Sequence, residues 1–355
     1  MKTSPLSIQN LAFKANPIEK KAIQIADILL ENRRPFKGEL FTKNDYLYLQ
    51  NKIVKTILPF VKKEESFPTV IVGFSMKCPS PKKTISQNAD RAEFEALKHL
   101  NNITEKIKQI YIPGTQLKIF ADGRAFAKTI VGASDSAVTK YVEQLRNFLK
   151  KIKSKNVEII ALEDIYKTQN NDFDKIRNSL FTDFPVNKEE MAQTIAQDPF
   201  LKTYKTFIRD FYAKDIRAII PGTSEKKSKL MGEKVAFGVI CAAESLSQCV
   251  FSLYKNAMVR TSVHGKPVND IQNKIGMYLN ALHLNCPMPW HGAALKISKF
   301  EESEKFIYEK KFLIEKAKGI LINDKDGKGA YYNLPDNFKY DINLSFKENL
   351  KANIK

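Results

Sequence analysis

Apolar residues recur every three or four positions in several segments, and this spacing predicts amphipathic helices. The spacing covers residues 17–31 and 45–60, and it is strongest in "RAEFEALKHLNNITEKIKQIY", residues 91–111. Another helix is predicted for "SDSAVTKYVEQLRNFLKKI", residues 134–152, because serine and aspartate at its start can cap the free backbone N–H groups.

Short continuous apolar runs alternate with these helices. They are "PTVIVGFSMK" (68–77), "QLKIFADGR" (116–124) and "NVEIIALEDIY" (156–166). Strands of this kind, buried on both faces and separated by helices, are typical of βαβ units in an α/β fold with a mostly parallel sheet. Near the C-terminus, "KFIYEKKFLIEKAKGILIND" (305–324) contains two further strand-like stretches.

Each of the three predicted strands ends in polar residues. The first ends in Ser75 and Lys77, the second in Asp122 and Arg124, and the third in Glu163 and Asp164. Any one of these endings can be a turn or a solvated helix start. Ligands of parallel α/β sheets bind beyond the carboxyl ends of the strands, so the three endings together indicate a site.

A fourth polar group lies in "AMVRTSVHG". If this segment is a strand, Arg260, Ser262 and His264 share one face, which lines either a cleft or a solvated sheet edge. Further along, "CPMPWHGAALKIS" places the chain's single tryptophan, Trp290, beside His291, a pair that also suits simple core packing. Both histidines are candidates for proton transfer, because imidazole titrates near neutral pH.

Composition and motifs argue against several classes of protein. The chain has 355 residues and a formal net charge of +19, but its lysines are scattered and no nucleic-acid-binding motif accompanies them. The four cysteines form no zinc-binding spacing, so we expect free thiols in a reducing cytoplasm. No secretory signal and no uninterrupted apolar stretch of about 18 residues is present, so no membrane attachment is expected.

Five segments resemble the pyoverdine/dityrosine biosynthesis family in order and in spacing. They are "FSMKCPSPKK", "RAEFEAL", "YIPGTQLKIFADGRAFAKTIVGASD", "VRTSVHG" and "MPWHGAAL", within residues 65–300. The resemblance implies a Rossmann-like core without a nucleotide cofactor or metal, and isocyanide (isonitrile) synthase activity. In that reaction the amino nitrogen of an aromatic L-amino acid, tyrosine or tryptophan, is joined to C2 of ribulose 5-phosphate. The implied pathway partner is an iron/2-oxoglutarate dioxygenase, and tyrosine is the favoured substrate.

Carried over to this sequence, the resemblance implies a set of site residues. For the phosphate, the candidates are the cations Arg124 and Arg260, with Lys77 as a third cation or as a Schiff-base nucleophile. Proton transfer is assigned to His264 and His291. The remaining candidates for contacts with the substrates are Ser75, Asp122, Asp135, Ser262 and Trp290, together with Glu163, which comes from the end of the third predicted strand and not from the resemblance. Among these, Asp122 would orient a histidine or grip sugar hydroxyls, and Asp135 or Glu163 would pair with the substrate ammonium.

The predicted organisation has three parts. Residues 1–62 form a helical segment packed on the core, residues 63–300 the catalytic core, and residues 301–355 a strand-containing extension. Two other functions remain open: a sugar-phosphate isomerase or lyase that uses Lys77, and a basic protein that binds nucleic acid. The chain departs from the family pattern at Ala125, Ala127 and Lys128, so an inactive family member is a further alternative.

Overall fold

Five parallel strands form the central sheet of the protein, in the order β3-β2-β1-β4-β5. The computed structural model describes residues 16–168, 172–255, 257–270, 272–297 and 304–353. The strands are β1 (Phe67–Gly73), β2 (Thr115–Ala121), β3 (Val157–Ala161), β4 (Val259–Ser262) and β5 (Ile275–Gly276). The chain builds the sheet outward from β1 in one direction and then returns to its other side, so the strand order reverses between β1 and β4. Ligands of such sheets bind at this reversal.

Helices surround the sheet. In chain order they are α1 (Pro17–Glu31), α2 (Lys43–Lys63), α3 (Arg91–Ile110), α4 (Gly123–Phe126), α5 (Asp135–Ile152), α6 (Leu162–Ile165), α7 (Phe173–Asp183), α8 (Lys188–Gln197), α9 (Pro199–Ile219), α10 (Glu225–Tyr254), α11 (Lys311–Lys316) and α12 (Phe346–Asn353). The prediction of an α/β core with a mostly parallel sheet flanked by helices is confirmed.

The helices α1 and α2 belong to the main core. Ile25 of α1 and Ile57 of α2 are fully buried in the same apolar cluster as Ile71 of β1 and Leu97 of α3. Burial of this kind contributes roughly 1.5–3 kcal/mol per large apolar side chain. The predicted helical segment 1–62 thus packs on the sheet from Pro17 onward, and residues 1–15 lie outside the described part of the chain.

A second, smaller sheet lies near the C-terminus, as predicted. Its strands are β6 (Ala293–Lys296), β7 (Phe306–Glu309), β8 (Ile320–Ile322) and β9 (Tyr331–Asn333), in the order β7-β6-β9-β8. The sheet has an apolar cluster of its own, which includes Leu295 and Ile314. Because β6 pairs with β7, the small sheet begins before the predicted boundary at residue 300.

Five helices, α6 to α10, lie between β3 and β4 in the sequence. The hairpin of α9 and α10 has a small core that includes Ile208 of α9 and Ile240 of α10. By length and composition α10 is apolar enough to cross a membrane, but 56% of its most apolar window is buried inside the protein, as in the core helix of a soluble protein. This hairpin brings α9 over the carboxyl ends of the sheet, where it contacts Lys83 and His291.

Candidate active site at the carboxyl ends of the sheet

Asp122 and Ser75 meet where the neighbouring strands β2 and β1 end. The Ser75 hydroxyl donates a hydrogen bond to the Asp122 carboxylate. Burial raises the pKa of Asp122 to about 6, although this hydrogen bond opposes the shift. Among the described residues, no lysine or arginine forms an ion pair with Asp122. A partly buried carboxylate whose charge the protein leaves unbalanced is typical of a general base or a site for a substrate cation.

A glycine is required between Asp122 and Arg124. A Cβ atom on Gly123 would lie 1.6 Å from the Ser75 carbonyl oxygen, so any other residue would push the two strand ends apart. The glycine therefore serves the close approach of Asp122 to Ser75, which a simple turn would not require.

Arg124 faces away from this point and is fully buried. All five of its N–H donors are used. Nε donates to Glu163 at 3.0 Å, Nη1 donates to the carboxylate and the carbonyl of Asp135 at 2.7 and 2.9 Å, and Nη2 donates to Thr139 at 2.7 Å and to Glu163. The guanidinium also lies 3.7 Å from the Phe173 ring centroid. Arg124, in α4 directly after β2, therefore contacts α5, α6 and α7, and in this arrangement none of its donors is directed at a phosphate site.

Asp135 and Glu163 are the anionic partners of this arginine. Asp135 also accepts hydrogen bonds from Arg177 at 2.6 and 3.0 Å. Burial opposes ionisation of Asp135, but the bonds from Arg177 and Arg124 outweigh it and lower its pKa. Because arginines already balance both carboxylates, their predicted pairing with a substrate ammonium does not agree with the structure.

Lys77 is likewise buried and has its partners within the protein. It is 1% exposed, and its ammonium pairs with Asp90 and Glu93 at 2.8 Å each. Neither the predicted phosphate contact nor the Schiff-base role agrees with this position, because the amine is charged and enclosed. Trp290 is also buried, with its ring centroid 5.1 Å from that of Phe74, so it is a core residue.

His291 faces α9. Its ring centroid lies 4.9 Å from that of Phe211, at a T-shaped angle of 72°. Above the same Phe211 ring lies the ammonium of Lys83, 3.2 Å from the centroid, which pairs with Asp215 at 2.7 Å. Burial, followed by the charges of Lys83 and His264, lowers the pKa of His291 well below its ordinary value. The imidazole is therefore neutral at pH 7.

His264 follows β4 and lies among cations. Burial lowers its pKa to about 4, assisted by Arg34, Lys266 and Lys274. Its side chain nevertheless remains exposed to solvent. Its position after β4 puts His264 at the carboxyl ends of the sheet. Since the charge of His264 also acts on His291, both imidazoles lie in one region.

The register of the sheet places three more polar residues in the region of His264. Thr261 pairs with Ile275 and Ser262 with Gly276, so Arg260, Ser262 and Lys274 share one face of β4 and β5. Arg260 lies 4.7 Å from the Phe251 ring centroid of α10 and donates a long hydrogen bond of 3.4 Å to Ser247. We call Arg34, Arg260, Lys266 and Lys274 the basic cluster.

Charge within the basic cluster is only partly balanced. Burial, followed by repulsion from Lys266 and Arg260, lowers the pKa of Lys274 to about 8, while Asp270 and Glu244 oppose the shift. Asp270 lies 3.6 Å from the Lys266 ammonium. A dianionic ligand would relieve the remaining repulsion. Within the described ranges, no three His, Cys, Asp or Glu side chains are arranged to hold a metal ion.

Sequence reasoning missed the contribution of α9. Burial raises the pKa values of Tyr204 and Tyr212, and in both cases the charge of Asp122 adds to the shift, so the two phenols lie near that carboxylate. Tyr204, Phe207 and Phe211 recur at helical spacing in "TYKTFIRDFY", and this aromatic stripe was the available signal. An aromatic helix face beside an unbalanced carboxylate suits a substrate with an aryl group and an ammonium.

The chain is similar to proteins of one known family. The family model described as pyoverdine/dityrosine biosynthesis protein matches residues 57–318. An L-tyrosine isonitrile synthase of Pseudomonas aeruginosa is 24% identical over 282 residues, which cover 79% of this chain and 83% of that protein. An L-tryptophan isonitrile synthase of Fischerella ambigua is 26% identical over 273 residues, covering 77% and 79%. The crystal structure of PvcA from Pseudomonas aeruginosa aligns with a TM-score of 0.80 at 22% identity, over 89% of this chain and all of that one.

Proposed function

Since the chain belongs to the pyoverdine/dityrosine biosynthesis family, we propose that it is an isonitrile synthase acting on an aromatic L-amino acid, with tyrosine favoured over tryptophan. The proposed carbon donor is ribulose 5-phosphate. The relatives named as tyrosine and tryptophan isonitrile synthases support the reaction type. In this proposal the enzyme works in the cytoplasm, and an iron/2-oxoglutarate dioxygenase consumes the product.

One observation carries the proposal. The unbalanced carboxylate of Asp122 lies near the aromatic face of α9, and the region of His264 and His291 connects to the basic cluster. These three features correspond to the three parts that the substrates present: an ammonium, an aryl group and a phosphate. Binding both substrates side by side removes much of the entropic barrier to their condensation, roughly 7–11 kcal/mol when they are well aligned.

Asp122 has the chemistry of a base for the first step. Only a neutral amine attacks a ketone, so the substrate ammonium must first lose a proton. With a pKa of about 6, Asp122 is ionised at pH 7 and more basic than an ordinary aspartate. The amine nitrogen then bonds to C2 of the ketose, and the carbonyl oxygen leaves as water to give the imine.

His264 is the proposed source of a proton for that departing oxygen. It is neutral in the free protein because four surrounding factors, burial and three cations, lower its pKa. A phosphate dianion in the basic cluster would favour the charged imidazolium and raise this pKa toward neutrality. Binding of the sugar phosphate would therefore prepare the acid that the dehydration step needs.

The proposed activity can be tested directly. Purified protein is expected to convert tyrosine, and with lower efficiency tryptophan, to the isonitrile when ribulose 5-phosphate is supplied, and mass spectrometry with each amino acid separately identifies the product. Absence of product with every aromatic amino acid would contradict the proposal. Borohydride trapping of a ketose phosphate on the protein, without amino acid, would instead favour the lyase or isomerase alternative.

The basic cluster gives a second prediction. Lys274→Met and Arg260→Gln are each expected to raise KM for ribulose 5-phosphate about 10- to 100-fold, since a charge-assisted hydrogen bond contributes roughly 1.5–3 kcal/mol. KM for the amino acid should change little. Lys229→Met, on the exposed part of α10, is the control for loss of one positive charge. Equal changes in both KM values would place the phosphate elsewhere.

A further inference from the structure

Lys77 lies at the point where three separated sequence segments meet. Its Nζ lies 2.8 Å from the Asp90 carboxylate, 2.8 and 3.0 Å from the two oxygens of Glu93, and 2.9 Å from the carbonyl oxygen of Pro289. All of these contacts are buried. A buried ion cluster is seldom more stable than well-packed apolar residues of the same volume, so its presence needs another reason.

The two carboxylates are held rigidly by the first turn of α3. Asp90 accepts a hydrogen bond from the backbone N–H of Ala92 at 2.9 Å, and Glu93 accepts one from the N–H of Asp90 at 2.9 Å. This reciprocal capping box fixes both side chains where the helix dipole favours negative charge. Tyr141 of α5 donates a further hydrogen bond to Glu93 at 3.2 Å. The acceptors of Lys77 thus have little freedom to move.

The third acceptor of the Lys77 ammonium is the carbonyl oxygen of Pro289, the first residue of the turn that carries His291. Pro289, Trp290 and His291 form one turn of 3-10 helix. Besides the bond from Lys77 to Pro289, the backbone N–H of Cys78 donates to the Trp290 carbonyl at 2.8 Å. The Trp290 ring fills the space beside Gly73, where a Cβ would lie 3.1 Å from it. The segment after β1 therefore holds this turn by a side chain, a backbone bond and a packed ring.

We propose that Lys77 is a positioning residue, which joins the capping box of α3 to the Pro289 carbonyl and so fixes His291 against Phe211 in the cleft. The inference rests on the proposed function, and it takes His291 as the proton-transfer residue that the family resemblance implies. Burial by itself would lower the pKa of Lys77, but Asp90 and Glu93 outweigh it and raise that pKa, so the ammonium form persists throughout the pH range of activity. The ammonium therefore keeps its donors for the Pro289 carbonyl and the carboxylates, and the proposal gives Lys77 no part in proton transfer.

Lys77→Met tests the inference, with Arg91→Met as the matched control. Arg91 is another buried cation in the first turn of α3, and it pairs with Glu95 at 2.7 Å, away from the His291 turn. Lys77→Met is expected to lower kcat about 100-fold, the loss that a displacement of about 1 Å can cause, with KM values nearly unchanged. Arg91→Met should retain the wild-type kcat at temperatures where it is folded.

The second readout is independent of activity. The chain has four histidines, so the ring resonances of His291 can be assigned by NMR with single His→Gln variants. In Lys77→Met the His291 signals should shift and its pKa should rise toward the ordinary value, because the turn loosens and a neighbouring positive charge is removed. In Arg91→Met the chemical shifts of the His291 signals should not change. This readout holds even if no isonitrile is formed, so failure of the proposed function is distinguished from failure of the inference.

Equal losses of stability and of kcat in both variants, with unchanged His291 signals, would overturn the positioning role. If Lys77→Met does not fold, Glu93→Gln replaces it, because the amide keeps the shape of the capping box and one acceptor for Lys77. It is expected to shift the His291 signals in the same direction by a smaller amount. Unchanged signals in Glu93→Gln would equally overturn the inference.

Discussion

Replacing Asp122 by asparagine is expected to lower kcat/KM for isonitrile formation by about 10²- to 10⁴-fold, the usual contribution of a general base. The amide keeps the size of the side chain and its hydrogen bond with Ser75, but it cannot take a proton from the substrate ammonium. Because Asp122 must be ionised to act, kcat/KM of the wild-type enzyme should fall as the pH drops through about 6. The acid limb of the pH profile should be absent from the residual activity of Asp122→Asn.

The melting temperature of Asp122→Asn distinguishes a catalytic role of Asp122 from a structural one. The raised pKa of Asp122 means that its ionised form is disfavoured in the folded protein. The stabilisation that the protonated form gives is complete below about pH 4, where an aspartate of the unfolded chain is also protonated, and is lost as the pH rises through about 6. Asparagine remains neutral at every pH. Asp122→Asn should therefore melt at the wild-type temperature or above it at pH 7.5. A variant that is both inactive and unfolded would contradict the assignment.

The sequence was sufficient to predict the sheet and the helices beside it, because their patterns are local. The apolar spacing predicted α1 with its observed bounds and α3 to within a residue. The first strand was predicted through residue 77 but ends at Gly73, since Phe74 adopts a positive φ of 57° and turns the chain. A left-handed residue of this kind leaves no trace in the hydrophobic pattern.

The α9–α10 hairpin was not predicted, for a physical reason. Its 30-residue helix α10 packs against several elements at once, so its apolar residues do not form a single stripe. The aromatic residues of α9 contribute to the site only because the hairpin returns over the sheet. That return is a tertiary property, and a single sequence without pairing information does not contain it.

For the site, sequence reasoning identified the correct strand ends but could not distinguish ionic residues that line the cleft from those that are buried. Asp122 and Arg124 are two positions apart and looked equivalent, yet the partners of Arg124 come from Asp135, Thr139 and Glu163, which are brought to it by the fold. The burial of Lys77 could not be predicted either, because its partners are also brought to it by the fold. The sequence does show the capping-box spacing of Asp90 and Glu93, which predicts two carboxylates at the start of a helix.

Arg124→Met should destabilise the protein by about 3–5 kcal/mol, the usual cost of removing one partner from a buried ionic network. Methionine keeps much of the side-chain volume, but it leaves Glu163 without its cation and Asp135 with Arg177 alone. Urea unfolding followed by circular dichroism measures the change. Arg146→Met is the control. Arg146 lies on the same helix as Asp135 and forms a half-exposed ion pair with Asp164 of α6, and the loss of this pair should cost less than about 1 kcal/mol.

The KM for ribulose 5-phosphate then distinguishes a structural role of Arg124 from a phosphate-binding role. A guanidinium whose five donors are satisfied within the protein has none left for a ligand, so the folded fraction of Arg124→Met should bind ribulose 5-phosphate with nearly the wild-type KM. Arg124→Lys should recover part of the stability, because an ammonium restores the charge but supplies three donors in place of five. If Arg124→Met were instead as stable as the wild type and showed a selective rise in KM for the sugar phosphate, Arg124 would bind phosphate, and the arrangement with Asp135 and Glu163 would have to open when substrate binds.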